Sequence, residues 1–276
     1  MARDVQPLRK PGTILTTMGA EDTPRPIAAG LGAIAPAPTS DALARAVGTL
    51  IGTYGNLQRE GVQRVLELLE FANDLVERNP PSITPETEKD KARRDAYFQE
   101  MLRASVVLTH AHLEDYLRTL AETLLPEADE DTLNAVPLVG LPGRAEKFPL
   151  GKLVRHKGKT VDDVLRESVR EHLANRTFNN RGEIERLLEA LGLDASESQK
   201  ALYSIQEMIQ RRHQIVHRGD KLKPTPSAAP VLQPMKLVDA TRWLRATFEF
   251  MDNLNAPLAK KLARIETSKI RGDTKK

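Results

Sequence analysis

Two arginines and two histidines fall within seven residues of this chain, Arg211-Arg212-His213-Gln214-Ile215-Val216-His217. Together they can work on a phosphodiester. Arginine presents a planar, permanently charged fork to phosphate oxygens, and histidine gives and takes protons near neutral pH. Such chemistry calls for no metal and no organic cofactor, and none is expected here. The bare spacing of an arginine shortly before a histidine recurs at Arg103/His110 and Arg166/His172, but those arginines are followed by Ala104 and Glu167. Only Arg212 is followed by a second histidine, His213. Only this copy is also set among like charges, with Arg211, Arg212, Arg218, Lys221 and Lys223 against one acid, Asp220, between Gln210 and Lys223. A patch of this kind concentrates nucleic acid and binds it in a salt-sensitive way.

The helix that must carry these residues opens near Ser196, where Ser196 and Gln199 have the spacing of a capping box, and ends near His217 with Gly219 just beyond. Its apolar stripe runs Leu202, Ile205, Met208 or Ile209, then Arg212, then Val216. Arg212 therefore stands at a step where a core residue is expected. An unpaired buried cation is expensive, so Arg212 should meet a carboxylate, a phosphate or an interface. The plain structural alternatives are a guanidinium that snorkels to water or pairs with Glu114 or Asp115. His213 and His217 share a helix face, but no third ligand accompanies them, and no metal site is expected. Arg212 and His217 lie about 140° apart around an ideal helix. Either the last turn distorts, or a second copy of the helix completes the site. The second option is preferred and predicts a homodimer with paired motifs across its axis. A helix C-terminus disfavours phosphate, so Arg211, Arg212 and Arg218 must overcome its partial negative charge, which in turn favours a protonated His217 as a proton donor.

The rest of the chain bounds this reading. Forty per cent hydrophobic residues in 276 suffice for a sizeable core, and 4% aromatic content with abundant Ala, Leu, Glu and Arg favours helix. Zero cysteines exclude disulfides, thiolate metal sites and cysteine nucleophiles. No apolar run reaches the roughly 18 residues of a membrane span, and no signal peptide is visible, so a cytoplasmic protein without membrane contact is expected. Residues 1–40, rich in Pro, Gly and Ala, read as a disordered leader. A helical extension over 41–84 follows, weakened by Gly48, Gly52, Gly55 and Gly61 and stopped at Asn79-Pro80-Pro81. A stronger helix begins near Thr84-Pro85-Glu86, with the stripe Phe98, Met101, Leu102, Val106, Thr109, Leu113, Tyr116, Leu117, Leu120 and Leu124. Short helices are expected near Asp129 to Asn134, Thr160 to Leu173 and Arg181 to Leu191, then the Ser196 helix and one last long helix from about Met235 to Ile265. The fold class is all-α. The main helical domain is placed at 85–266 and a basic disordered tail at 267–276. His112 reads as a packed core histidine, and His110, His156 and His172 have no supporting constellation. Trp243, Phe248 and Phe250 read as core rather than as stacking platforms for bases.

The stretch RRHQIVHRGD resembles the signature of the HEPN superfamily, an arginine, a polar residue and then a histidine. His112-Leu113-Glu114-Asp115-Tyr116-Leu117 and Phe178-Asn179-Asn180 through Leu191-Gly192-Leu193 extend the likeness to the RiboL-PSP-HEPN subgroup over roughly residues 90–265. The resemblance implies a multi-helix bundle with long antiparallel helices and a metal-independent endoribonuclease, many relatives being toxins or antiviral defence effectors. By residue, it implies His217 as acid/base catalyst, Arg212 as stabiliser of the scissile phosphate and His213 as the orienting polar residue. Glu114 and Arg211 are supporting candidates, and Arg218, Lys221 and Lys223 are candidates for RNA binding. The implied products are a 2′,3′-cyclic phosphate and a 5′-OH. The substrate is RNA, with transfer RNA suggested by the family, and an inhibitor or antitoxin protein is a further expected partner. The alternative is a catalytically silent HEPN module that binds RNA or a partner protein. Some antitoxin-controlled relatives carry a tyrosine two positions after the histidine; Gly219 stands there in this chain.

Overall fold

The computed structural model describes residues 41–77, 87–140, 150–174, 176–222 and 231–273, and every regular element in them is helical. The main helices are α1 (Asp41–Glu77), α2 (Glu88–Leu124), α3 (Glu130–Leu133), α4 (Val161–Ala174), α5 (Arg181–Ala190), α6 (Gln199–Arg218), α7 (Leu237–Asn253) and α8 (Asn255–Asp273). Among the described residues the one β-type pairing is an isolated antiparallel bridge between Lys221 and Leu232. No helix among them is long and apolar enough to cross a membrane. The reading of residues 1–40 as a leader lies outside the described residues.

The two longest helices, 37 residues each, form the spine. Tyr54 on α1 hydrogen-bonds to Thr123 at 2.6 Å, while Gly61, two turns later, abuts His112. As numbers rise on α1 their partners fall on α2, so the pair is antiparallel. α1 runs unbroken through its four glycines, and one of them, Gly61, serves the packing: a Cβ there would lie 2.0 Å from the His112 imidazole. Gly61→Ala is therefore expected to destabilise the fold by about 1–3 kcal/mol despite alanine's better helix propensity. In urea unfolding, adding His112→Ala to Gly61→Ala should recover part of that loss, and strictly additive losses would refute the contact.

α2 and α7 run parallel, with Gln99 exchanging hydrogen bonds with the Met235 backbone and Tyr116 reaching the Met251 carbonyl. α6 runs antiparallel to α7: Glu207 meets Arg242, and Glu197 meets Asn253. Between them lie Leu102, Val106, Leu113, Leu117 and Leu120 of α2, Leu202, Ile205 and Met208 of α6, and Leu244, Phe250 and Met251 of α7, all buried. Trp243 and Phe250 belong to this core, as their helical spacing suggested.

Several boundaries depart from expectation. α2 starts at Glu88 rather than near Thr84, because Thr87 and Asp90 form a reciprocal capping box. The expected box at Ser196 does not form: Ser196–Ser198 is a 3₁₀ turn, and Gln199 instead accepts a hydrogen bond from Arg181 at 2.6 Å. The last helix is two helices, broken at Leu254. Pro257 explains the break, since proline lacks the N–H that an uninterrupted helix would use and fits the first turn of α8. α8 then continues to Asp273, beyond the expected end near residue 265 and into the segment read as a tail.

Candidate nucleic-acid site

α6 ends as its sequence demands. Gly219 adopts the left-handed conformation at φ 56° and donates its N–H to the Gln214 carbonyl. Asp220 is left-handed too, at φ 55°, and its N–H also reaches the Gln214 carbonyl, at 3.0 Å. This double turn sends the Asp220 carboxylate back into the protein. There one oxygen, Oδ2, accepts from Arg103 at 2.7 Å and from Arg211 at 2.8 Å. Both guanidinium groups also donate to the Gln233 carbonyl.

The inward arginine is thus Arg211, not Arg212. Both positions continue the stripe from Met208 or Ile209, and the buried Asp220 decides between them. Arg211 is 7% exposed and anchored in this ion triad, so it does not face a phosphate as expected for a supporting residue. Burial and the neighbouring Arg103 lower its pKa, while Asp220 opposes them.

Arg212 is half-buried, and its Nε is enclosed with no hydrogen-bond partner among the described residues. No ion pair joins it to Glu114 or Asp115 among those residues. Its charge nevertheless acts on His110 of α2, a residue that sequence reasoning set aside. His110 is 1% exposed and donates its Nε2–H to the Phe178 carbonyl at 3.3 Å. Burial pushes its pKa down, Glu114 pulls it up, and Arg212 and Arg118 push it down further. No local pattern could have found it, because the spacing of Arg103 and His110 in sequence is unrelated to the crossing of α2 and α6.

Glu114 accepts the Phe178 N–H at 3.2 Å and lies 4.0 Å from Arg118, which donates to the Arg176 carbonyl. His110, Glu114 and Arg118, successive turns of one α2 face, therefore strap residues 176–178 down. Among the described residues Glu114 makes no hydrogen bond to Arg212 or His217. Its contribution is to the wall of the site.

His213 and His217 are both exposed, with ring centroids 4.6 Å apart. Beside them opens a cleft of about 280 Å³ lined by Asn179, Ile209, Gln210, His213, Gln214 and Arg218. Lys221 is exposed just past the double turn, and Lys223 lies outside the described residues. Arg212 thus turns toward α2 while His217 turns to solvent. Among the described residues no three His, Asp or Glu side chains converge as a metal site would require.

His110, buried, and His112, half-buried, make stability depend on pH in a definite direction. Burial holds His110 and His112 below the ordinary value of 6.5. Below about pH 6.5 the unfolded chain takes up protons that the folded chain refuses, so stability falls as pH drops through and beneath that value. Urea midpoints should be lower at about pH 5.5 than at about pH 7.5, and His110→Gln should flatten the difference. An unchanged slope in that variant would show that His110 is not held neutral by the fold.

An all-α bundle carrying an Arg-His-x-x-x-His element at an exposed, basic helix end defines a class of helical domains with candidate phosphodiester chemistry. The RiboL-PSP-HEPN family matches residues 62–256, which is most of the chain, and the protein belongs to that family of HEPN domains. The match begins inside α1, which shares the core through Val65, Leu69 and Ala72. No curated protein and no solved structure matched the chain.

Proposed function

We propose that this protein is a metal-independent endoribonuclease whose catalytic residues are Arg212, His213 and His217. The observation that carries the reading is the solvent-facing His213–His217 pair at the basic end of α6, in a HEPN-family domain with Arg212 one residue away. In this reading the RNA 2′-OH loses its proton to a histidine and attacks the adjacent phosphorus. The P–O5′ bond breaks, and the departing 5′ oxygen takes a proton, leaving a 2′,3′-cyclic phosphate and a 5′-OH. DNA lacks the attacking hydroxyl and should be inert. His213 orients His217 through their ring contact, and Arg218, Lys221 and Lys223 hold the strand.

Arg212 and His217 face different sides of α6, which supports a homodimer in which two motifs form one composite site. One His217 then serves as base and its symmetry mate as acid. A toxin or antiviral effector acting on cytoplasmic RNA, transfer RNA included, and restrained by an antitoxin or inhibitor fits this chemistry. The same divergence within one chain also favours a second reading, a silent HEPN module that binds RNA or a partner protein without cleaving.

The test is incubation of the purified protein with total cellular RNA in EDTA, beside His217→Ala, with chemical identification of the new ends. Cleavage by the parent alone, leaving cyclic phosphates, is the expected result. RNA that is bound but uncut by both proteins supports the silent module.

A further inference from the structure

Gln210 and Gln214 line clefts on both flanks of α6, and the two clefts differ in charge. The one toward α7 holds two acids, Glu207 and Asp239, and two arginines, Arg211 and Arg242, and both arginines are already paired with carboxylates, Arg242 with those two and Arg211 with Asp220. The one beside His213 has no carboxylate in its lining. It offers instead the amides of Asn179, Gln210 and Gln214, an apolar edge of the otherwise buried Ile209 at its floor, and His213 and Arg218.

We propose that this cleft holds one unpaired base of an RNA strand next to the scissile phosphate, and that Asn179 and Gln210 select that base. The proposal rests on the ribonucleolytic reading for what lies alongside, but its chemistry is separate. A nucleotide combines an apolar ring face, an edge where donors sit beside acceptors, and an anion. Ile209, the amides and Arg218 supply the complement of each. Among the described residues the Gln210 and Gln214 side chains make no hydrogen bond, so their donors and acceptors are free for a ligand.

Asn179 is held in advance. Its backbone N–H donates to Glu183 at 2.7 Å, and its Nδ2 donates to Thr177 at 2.7 Å, which leaves its carbonyl oxygen as the free acceptor. The preceding residue, Phe178, is fixed through both backbone groups by His110 and Glu114. A polar wall positioned by buried side chains can discriminate, because ordering it costs nothing at the moment of binding. Its place is also apt. His213 lines the cleft and packs on His217, so a base seated there brings its neighbouring phosphate to the proposed catalytic histidine.

The experiment uses His217→Ala, so that RNA survives, and measures by fluorescence anisotropy the binding of labelled single-stranded octamers of A, C, G or U. A spread of about tenfold or more between best and worst base is expected from edge recognition. Adding Asn179→Ala or Gln210→Ala should shrink that spread to about twofold, with average affinity and its salt dependence largely retained because phosphate contacts carry them. Both side chains lie at the surface of the cleft, and unchanged thermal unfolding would certify the variants. No base preference, or one indifferent to both substitutions, overturns the subsite. Amide-dependent preference in a protein whose parent form never cuts RNA upholds the subsite and removes the nuclease reading. Cleavage by the parent with no such preference does the reverse.

Discussion

Asp220→Ala is expected to lower stability by about 3–5 kcal/mol, because it leaves two buried guanidinium groups without their shared counter-charge. The Arg103 and Arg211 side chains are each 7% exposed and that of Asp220 is 1% exposed, so solvent cannot replace the lost carboxylate. The carbonyl of Gln233 would remain as an acceptor for both, and Arg103 would keep its 3.0 Å ion pair with Glu100, which keeps the loss within this range. For a domain of this size the melting temperature should fall by about 10 °C. Arg211→Met is the informative contrast. It removes one cation, spares the Arg103–Asp220 pair at 2.7 Å and replaces the long stem with apolar bulk, so its cost should be clearly smaller. Equal losses for the two substitutions would mean that the double turn at Gly219 and Asp220, rather than the ion triad, holds the helix end.

His217→Ala is expected to reduce RNA cleavage roughly a hundred- to ten-thousand-fold, the usual contribution of a positioned proton carrier. His217 is exposed and makes no hydrogen bond among the described residues, so its removal should leave unfolding by urea almost unchanged. A fold-neutral loss of this size separates a catalyst from a structural residue. Arg212→Lys should also be damaging, because an ammonium retains the charge but loses the planar fork that engages two phosphate oxygens. If the composite dimer is correct, a heterodimer of parent and His217→Ala protein should be nearly as inactive as the His217→Ala homodimer, because its single site lacks either base or acid. Failure of either variant to lower cleavage would place the chemistry elsewhere.

The comparison between sequence and structure divides along one physical line. Signals that depend on neighbours within a turn or two were readable: the α2 stripe and Gly219 as the stop of α6. Their energetics are local, so the pattern is the cause. Pro257 is a local signal as well, and it divides what periodicity alone joins. The errors of substance came from partners distant in the chain. Arg211 and Arg212 fit the α6 stripe equally well, and the choice fell to a carboxylate beyond the helix together with Arg103, 117 residues before it. His110 gained its surroundings from the crossing of α2 and α6, and Gly61 its purpose from His112. The types and spacing of the exposed His213, His217 and Arg218 could be read directly, because no packing partner decides them, and their role as a site is the proposal made above.

The ion triad also imposes an order on biosynthesis. α6 and its histidines leave the ribosome before residues 233–235, yet the carbonyl that both arginines share belongs to Gln233, and Met235 is tied to Gln99 of α2. Contacts of such separation in sequence carry a loop-closure cost and form only when their distant halves are both present. A nascent chain that stops short of residue 233 therefore carries the Arg-His-x-x-x-His element on a helix whose charged anchor, Arg103, Arg211 and Asp220, is present but lacks the carbonyl both arginines share. The carbonyl that closes this helix end is thus supplied only once the residues leading into α7 have been made.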